Sequence, residues 1–177
     1  MSISLSYPIG TISLPKTITP VQVTEWIQTI ALFPDKVKSV LGVRTDKELD
    51  TPYRPEGWTV RQVVHHCADS HMNCYIRFKW ALTEDKPVIK AYDEKAWAEL
   101  DDTRIMPVAN SLQLIQSMHH RWVYLMQSMN REQWKRSFIH PDGLKVVTLE
   151  AAAGMYAWHC EHHLAHMKQA LSVDKNE

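Results

Sequence analysis

The chain has 177 residues, 45% of them hydrophobic, which suits one domain over residues 1–177 with a substantial core. Its 20 basic residues balance 20 acidic ones and neither sign forms a long block, which excludes the electrostatic footprint of a nucleic-acid binder. No apolar stretch approaches the roughly 20 residues that span a bilayer, and the start has neither a basic region nor a continuous apolar run, so a cytoplasmic protein without a membrane partner is expected.

The first predicted helix opens at Thr19-Pro20, a capping residue before a proline suited to the first turn, and runs through Trp26, Ile30, Val37 and Leu41 to Gly42. Pro34 is a candidate kink. Residues 44–57 contain Asp50-Thr51-Pro52-Tyr53-Arg54-Pro55 and read as a loop, because each proline disfavours helix in the residue before it. Thr59 and Gln62 form a capping box that opens a second long helix to about Leu82. Its apolar face carries Val60, Val63, Val64, Cys67, Tyr75 and Phe78, with His71 among them. Gln62, His66, Ser70, Asn73 and Arg77 line one edge as a polar stripe, whose ordinary reading is a solvated flank.

Residues 92–100, between Pro87 and Pro107, are placed as a short helix, and a third long helix is predicted over 111–129 from Leu112, Ile115, Met118, Trp122 and Leu125. A helical turn at 131–135 precedes Pro141-Asp142-Gly143, which marks an irregular or hairpin-like excursion. Thr148 then caps a fourth long helix reaching about Leu171. Four long amphipathic helices with extended connections imply an all-α four-helix bundle. Cys67, Cys74 and Cys160 are an odd set without a CxxC pair, expected as packed, reduced thiols. The five glycines are too scattered for a phosphate-cradling loop.

Four of the ten histidines fall in the run Trp158-His159-Cys160-Glu161-His162-His163-Leu164-Ala165-His166 and share one arc of a helix. Imidazoles four residues apart on a helix can place two ring nitrogens on one divalent ion. His159 with His163 and His162 with His166 both have that spacing, and the pairs three apart are geometrically possible too, so the register stays open. A third ligand is expected from His65-His66, with His66 reaching into the bundle core and His65 pointing to solvent or to another subunit. Asn73, Arg77 and Arg54 are candidate substrate contacts, since an arginine suits a carboxylate or a phosphate.

Several longer runs carry a resemblance across nearly the whole chain. They are Ser6-Tyr7-Pro8-Ile9-Gly10, Leu49-Asp50-Thr51-Pro52-Tyr53-Arg54, the stretch from Gly57-Trp58-Thr59 to His65-His66, Ala68-Asp69-Ser70-His71-Met72-Asn73, Tyr92-Asp93-Glu94-Lys95-Ala96-Trp97, His140-Pro141-Asp142 and the final histidine run. With them the chain resembles the DinB-like superfamily of metal-binding four-helix bundles and, within it, the YfiT group of metal-dependent hydrolases. The resemblance places the family's three metal-binding histidines on His66, His159 and His163. It also implies one divalent ion per subunit, zinc or nickel, and a homodimer. The activity it implies is hydrolysis of a small-molecule substrate by water activated at the ion. Two other readings stand beside it: an S-transferase using a low-molecular-weight thiol such as bacillithiol, and a metal-dependent binding module without turnover.

Overall fold

The computed structural model describes residues 4–173. Helix α1 (Pro20–Leu41) starts at a capping box between Thr19 and Gln22 and passes through Pro34 as one helix. Proline has no backbone N–H, so Pro34 leaves the Ile30 carbonyl without its helical donor. Helix α2 (Asp46–Leu49) lies inside the segment read as loop; Thr45 and Glu48 close a capping box there that the prolines further on obscured. Helix α3 (Val60–Thr83) opens at Thr59 and Gln62 as the sequence indicates.

The connection that follows holds two short helices, α4 (Glu94–Ala98), within the segment expected to be helical, and α5 (Asp101–Arg104), which was not foreseen. Helix α6 (Val108–Gln127) begins earlier than periodicity suggests, because Pro107 supplies an extended N-cap. After α7 (Arg131–Lys135), strands β1 (Ser137–His140) and β2 (Lys145–Thr148) pair antiparallel with Phe138 opposite Val147. Their turn uses Gly143 at φ +71°, a left-handed position that glycine occupies without strain. Helix α8 (Leu149–Val173) is capped by Thr148, whose hydroxyl accepts from the Ala151 N–H at 3.3 Å.

Both α1 and α3 pack against α6 and α8, so the long helices form a ring in the order α1, α8, α3, α6, with α1 and α3 facing across the bundle. Ile30, Phe33, Phe78, Ile115, Trp122, Leu149 and Met167 are fully buried between them. Each such side chain contributes about 1.5–3 kcal/mol on burial, which holds the helices together despite their polar histidines. Gly154 allows the close approach of α1 to α8: a Cβ there would lie 2.8 Å from Leu14 and 2.9 Å from Trp26. No helix among the described residues is long and apolar enough to cross a membrane.

The polar edge of α3 is not the solvated flank its composition suggests. Helices α4 and α5 and strand β1 fold back onto α3 and roof that edge, leaving Gln62, Ser70 and Arg77 buried. The Gln62 amide donates to the Ala98 carbonyl at 2.8 Å, and the Ser70 and Tyr156 hydroxyls lie 3.3 Å apart. His65 is likewise buried rather than turned to solvent or to another subunit. Its Nε2–H donates to the Met106 carbonyl at 3.0 Å, and its Nδ1 accepts from the Ser111 hydroxyl at 2.7 Å. Met106, just before α6, and Ser111, in its first turn, lie over it.

Candidate metal centre

Helix α3 supplies His66 and α8 supplies His159 and His163, and one ring nitrogen from each falls within 4.8 Å of the others. His66 Nε2 stands 3.2 Å from His159 Nε2. The His163 ring centre is 4.9 Å from that of His66 and 4.3 Å from that of His159. These are the three histidines that the resemblance selects. His162 and His166 lie beside the cluster: His162 stacks on Trp158 at 4.3 Å, and His166 stacks on Tyr53 at 3.8 Å.

A line of hydrogen bonds fixes which nitrogen His159 presents. His119 Nδ1 is 2.7 Å from the Ile30 carbonyl, an oxygen that can only accept, so Nδ1 carries the hydrogen and the neutral ring keeps a lone pair on Nε2. His71 Nδ1, 2.7 Å from that lone pair, must donate to it. His71 Nε2 is therefore an acceptor, and His159 Nδ1–H donates to it at 2.9 Å. His159 is left with a lone pair on Nε2, the atom facing His66. The same polarity runs behind His163: His166 Nε2–H donates to the Ser6 carbonyl at 3.3 Å, and His166 Nδ1 accepts from His163 Nδ1–H at 3.4 Å. Both members of the HxxxH pair are thus oriented through their rear nitrogens, as metal-ligating histidines commonly are. His166, with both nitrogens engaged, supports His163 instead of competing with it.

The electrostatics agree with that donor set. Burial, reinforced by neighbouring histidines, pushes His159 and His163 well below the usual imidazole range. Burial, with His162 nearby, lowers His66 to about 4. Behind them burial holds His71 well below the usual range and takes His119 to about 4. Neutral imidazoles are the ligand form, so the residues fit a divalent ion.

The triad forms part of the wall of a cavity of about 780 Å³ reached past Tyr7, Tyr53, Arg54, Trp58 and Lys95. Trp58 packs on the His66 ring at 4.7 Å. A second cavity of about 510 Å³ shares His159, Trp158, Glu94 and Lys95 with the first and extends to Ser70, Arg77, Tyr92 and Tyr156. Of the candidate substrate contacts, Arg54 and Arg77 line these cavities, whereas Asn73 donates to the Asp69 carbonyl at 2.9 Å. The cysteines are packed thiols, as expected; all three are buried, and burial pushes each thiol up.

In the sequence His71 stands among apolar neighbours and His119 belongs to no motif. The available signal was positional: His119 follows Met118 and lies three residues before Trp122, on the buried face of α6.

A helical bundle with an interior set of three histidine donors is a recurrent setting for a metal centre. The chain belongs to the DinB superfamily, whose family model matches residues 29–167. It is 51% identical over 168 residues to YfiT of Bacillus subtilis (strain 168), a metal-dependent hydrolase by name, covering 95% of this chain and 94% of that one. A Bacillus pumilus (strain SAFR-032) relative, also a metal-dependent hydrolase by name, is 46% identical over 168 residues, 95% of each chain. A solved structure of Bacillus subtilis YfiT, described as a probable metal-dependent hydrolase with an unusual four-helix bundle topology, matches with a TM-score of 0.94. It is 50% identical and the match covers 97% of this chain and 98% of that one. The four-helix bundle read from the sequence is therefore the fold of this family.

Proposed function

We propose that this protein is a metal-dependent hydrolase of small molecules in which His66, His159 and His163 hold one divalent ion, zinc or nickel, per chain. The observation that carries the reading is the convergence of three oriented imidazoles within 4.8 Å at the wall of an open cavity. Three neutral ligands leave the ion its full charge and are one short of a closed tetrahedral set, the pattern of catalytic zinc. A bound divalent ion would supply Lewis acidity, bringing a coordinated water towards a pKa of about 7 or holding a thiol as its thiolate.

The chain's own residues shape the reaction space. Trp58 against His66 and Trp158 against His162 form aromatic walls that keep water from the flanks of the triad. Arg54, Lys95, Glu56, Glu94 and Glu99 give the cavity both signs of charge, which suits a polar small molecule. A cysteine nucleophile from this chain has no support, since all three thiols are buried and held protonated. The names of the relatives favour hydrolysis, and the family resemblance supports a homodimer.

The test is turnover by metal-loaded protein on a panel of esters, amides and other electrophiles, with and without bacillithiol or a simpler thiol. Thiol-independent hydrolysis that disappears in His66→Ala is expected. Strictly thiol-dependent conjugation would replace the hydrolase reading with S-transfer, and no turnover under either condition would leave a binding module.

A further inference from the structure

Two arginines of α3 are almost equally buried and differ in their surroundings. Arg61, 4% exposed, is paired with Asp50 and Asp46 at 2.7 Å each and donates to the Met106 carbonyl at 3.2 Å. Arg77, 8% exposed, takes part in no ion pair or side-chain hydrogen bond among the described residues. It faces the 510 Å³ cavity that ends at His159. None of the acidic groups around that cavity pairs with Arg77. Asp93 Oδ1 accepts from the Lys95 and Ala96 N–H groups to cap α4, Asp142 Oδ2 lies 3.6 Å from His140 Nδ1, and Glu94 is exposed.

The stem of Arg77 is buried while its guanidinium opens on the cavity without an anion, and that planar fork matches a carboxylate or a phosphate. We propose that Arg77 binds a carboxylate of the substrate, at the end of the cavity remote from the three histidines. Asp93, Glu94 and Asp142 line the same cavity against Lys95, a balance that favours a singly charged carboxylate over a dianionic phosphate. His66 and Arg77 are 77 − 66 = 11 positions apart on α3. At the helical rise, and with side chains leaning along the helix, the carboxylate lies roughly 10–15 Å from the group that meets the triad. The ligand is an elongated acid. Its reacting end rests on the metal-centre reading, whereas the anion site does not.

The test uses the full chain and two kinds of probe. The first is a set of alkyl hydroxamates with chains of about six to ten carbons, long enough for that span, ending in either a carboxylate or its methyl ester. Titrated into zinc-loaded protein, the acid is expected to bind about tenfold more tightly than the ester. Arg77→Gln should erase the difference, and Arg77→Lys, which keeps the charge but loses the fork, should restore only part of it. Equal affinity of acid and ester, or a preference that survives Arg77→Gln, would overturn the proposal. So would an alkyl phosphate that binds more tightly than the matching carboxylate.

The second probe is hexanoate added to metal-free wild-type protein, followed through the Arg77 Nε–H resonance by NMR, which needs no variant to fold. A saturable shift is expected and its absence would overturn the anion site. Failure to bind zinc, with the hexanoate shift intact, would instead remove the metal centre and leave the anion site standing.

Discussion

His119 of α6 donates to the Ile30 carbonyl of α1 at 2.7 Å, and that carbonyl is the one whose helical donor Pro34 removes. A helix defect and a buried histidine thereby satisfy each other, and the pair anchors the line of imidazoles that ends at His159. The Pro34 position, a candidate kink by sequence, matters less for bending α1 than for freeing an acceptor.

Replacement of His119 separates polarity from volume. In His119→Gln the amide can donate to Ile30 and accept from His71 Nδ1–H, so zinc affinity should stay within a few-fold of wild type. His119→Leu removes both bonds and frees His71 to invert, and affinity should fall about 10–100-fold, the range seen when outer-shell partners of ligating histidines are lost. Competition with a chromophoric chelator measures both. Equal affinities for the two variants would show that the line of histidines does not orient His159.

Acid should destabilise the metal-free protein. Burial, first among the causes, holds His66, His119 and His166 near 4 in the folded state, against about 6.5 when unfolded. Between those values the unfolded chain binds more protons, so stability is complete above about pH 6.5 and is lost progressively down to about 4. The urea midpoint should therefore drop between pH 7.5 and pH 5. A flat profile over that interval would contradict the buried, neutral state of these rings.

Gly154→Val tests the packing of α1 on α8. Its added side chain meets Leu14 and Trp26 inside normal contact distance, and overpacking of this kind costs about 1–3 kcal/mol. Chemical denaturation should show a lower midpoint, and an unchanged one would mean that the two helices separate freely.

The homodimer expected from the resemblance predicts a light-scattering mass near twice the 20.6 kDa of one chain. A mass of a single chain throughout a micromolar dilution series would rule it out.

The helix starts were legible because Thr19, Thr59 and Thr148 are local signals, a capping side chain beside a helical run. Helix α2 was equally local in origin, through Thr45 and Glu48, yet two prolines close by outweighed it. The candidate triad was only partly legible: spacing left two HxxxH registers and the pairs three apart open, and only the family resemblance selected His159 with His163. What separates the registers physically is the use of the rear nitrogens, and that depends on Ser6, His71 and His119 meeting α8 in three dimensions. The burial of His65 and Arg77 was hidden for the same reason. Both positions look polar in sequence, and they become interior only when the segment after α3 and the first turn of α6 fold back over the helix.

Metal stoichiometry across single-histidine variants tests the three-histidine centre most directly. Elemental analysis after loading with zinc or nickel should find about one ion per chain in the wild type and in His162→Ala, and none retained in His66→Ala, His159→Ala or His163→Ala. Full occupancy in His163→Ala, or loss confined to His162→Ala, would contradict it.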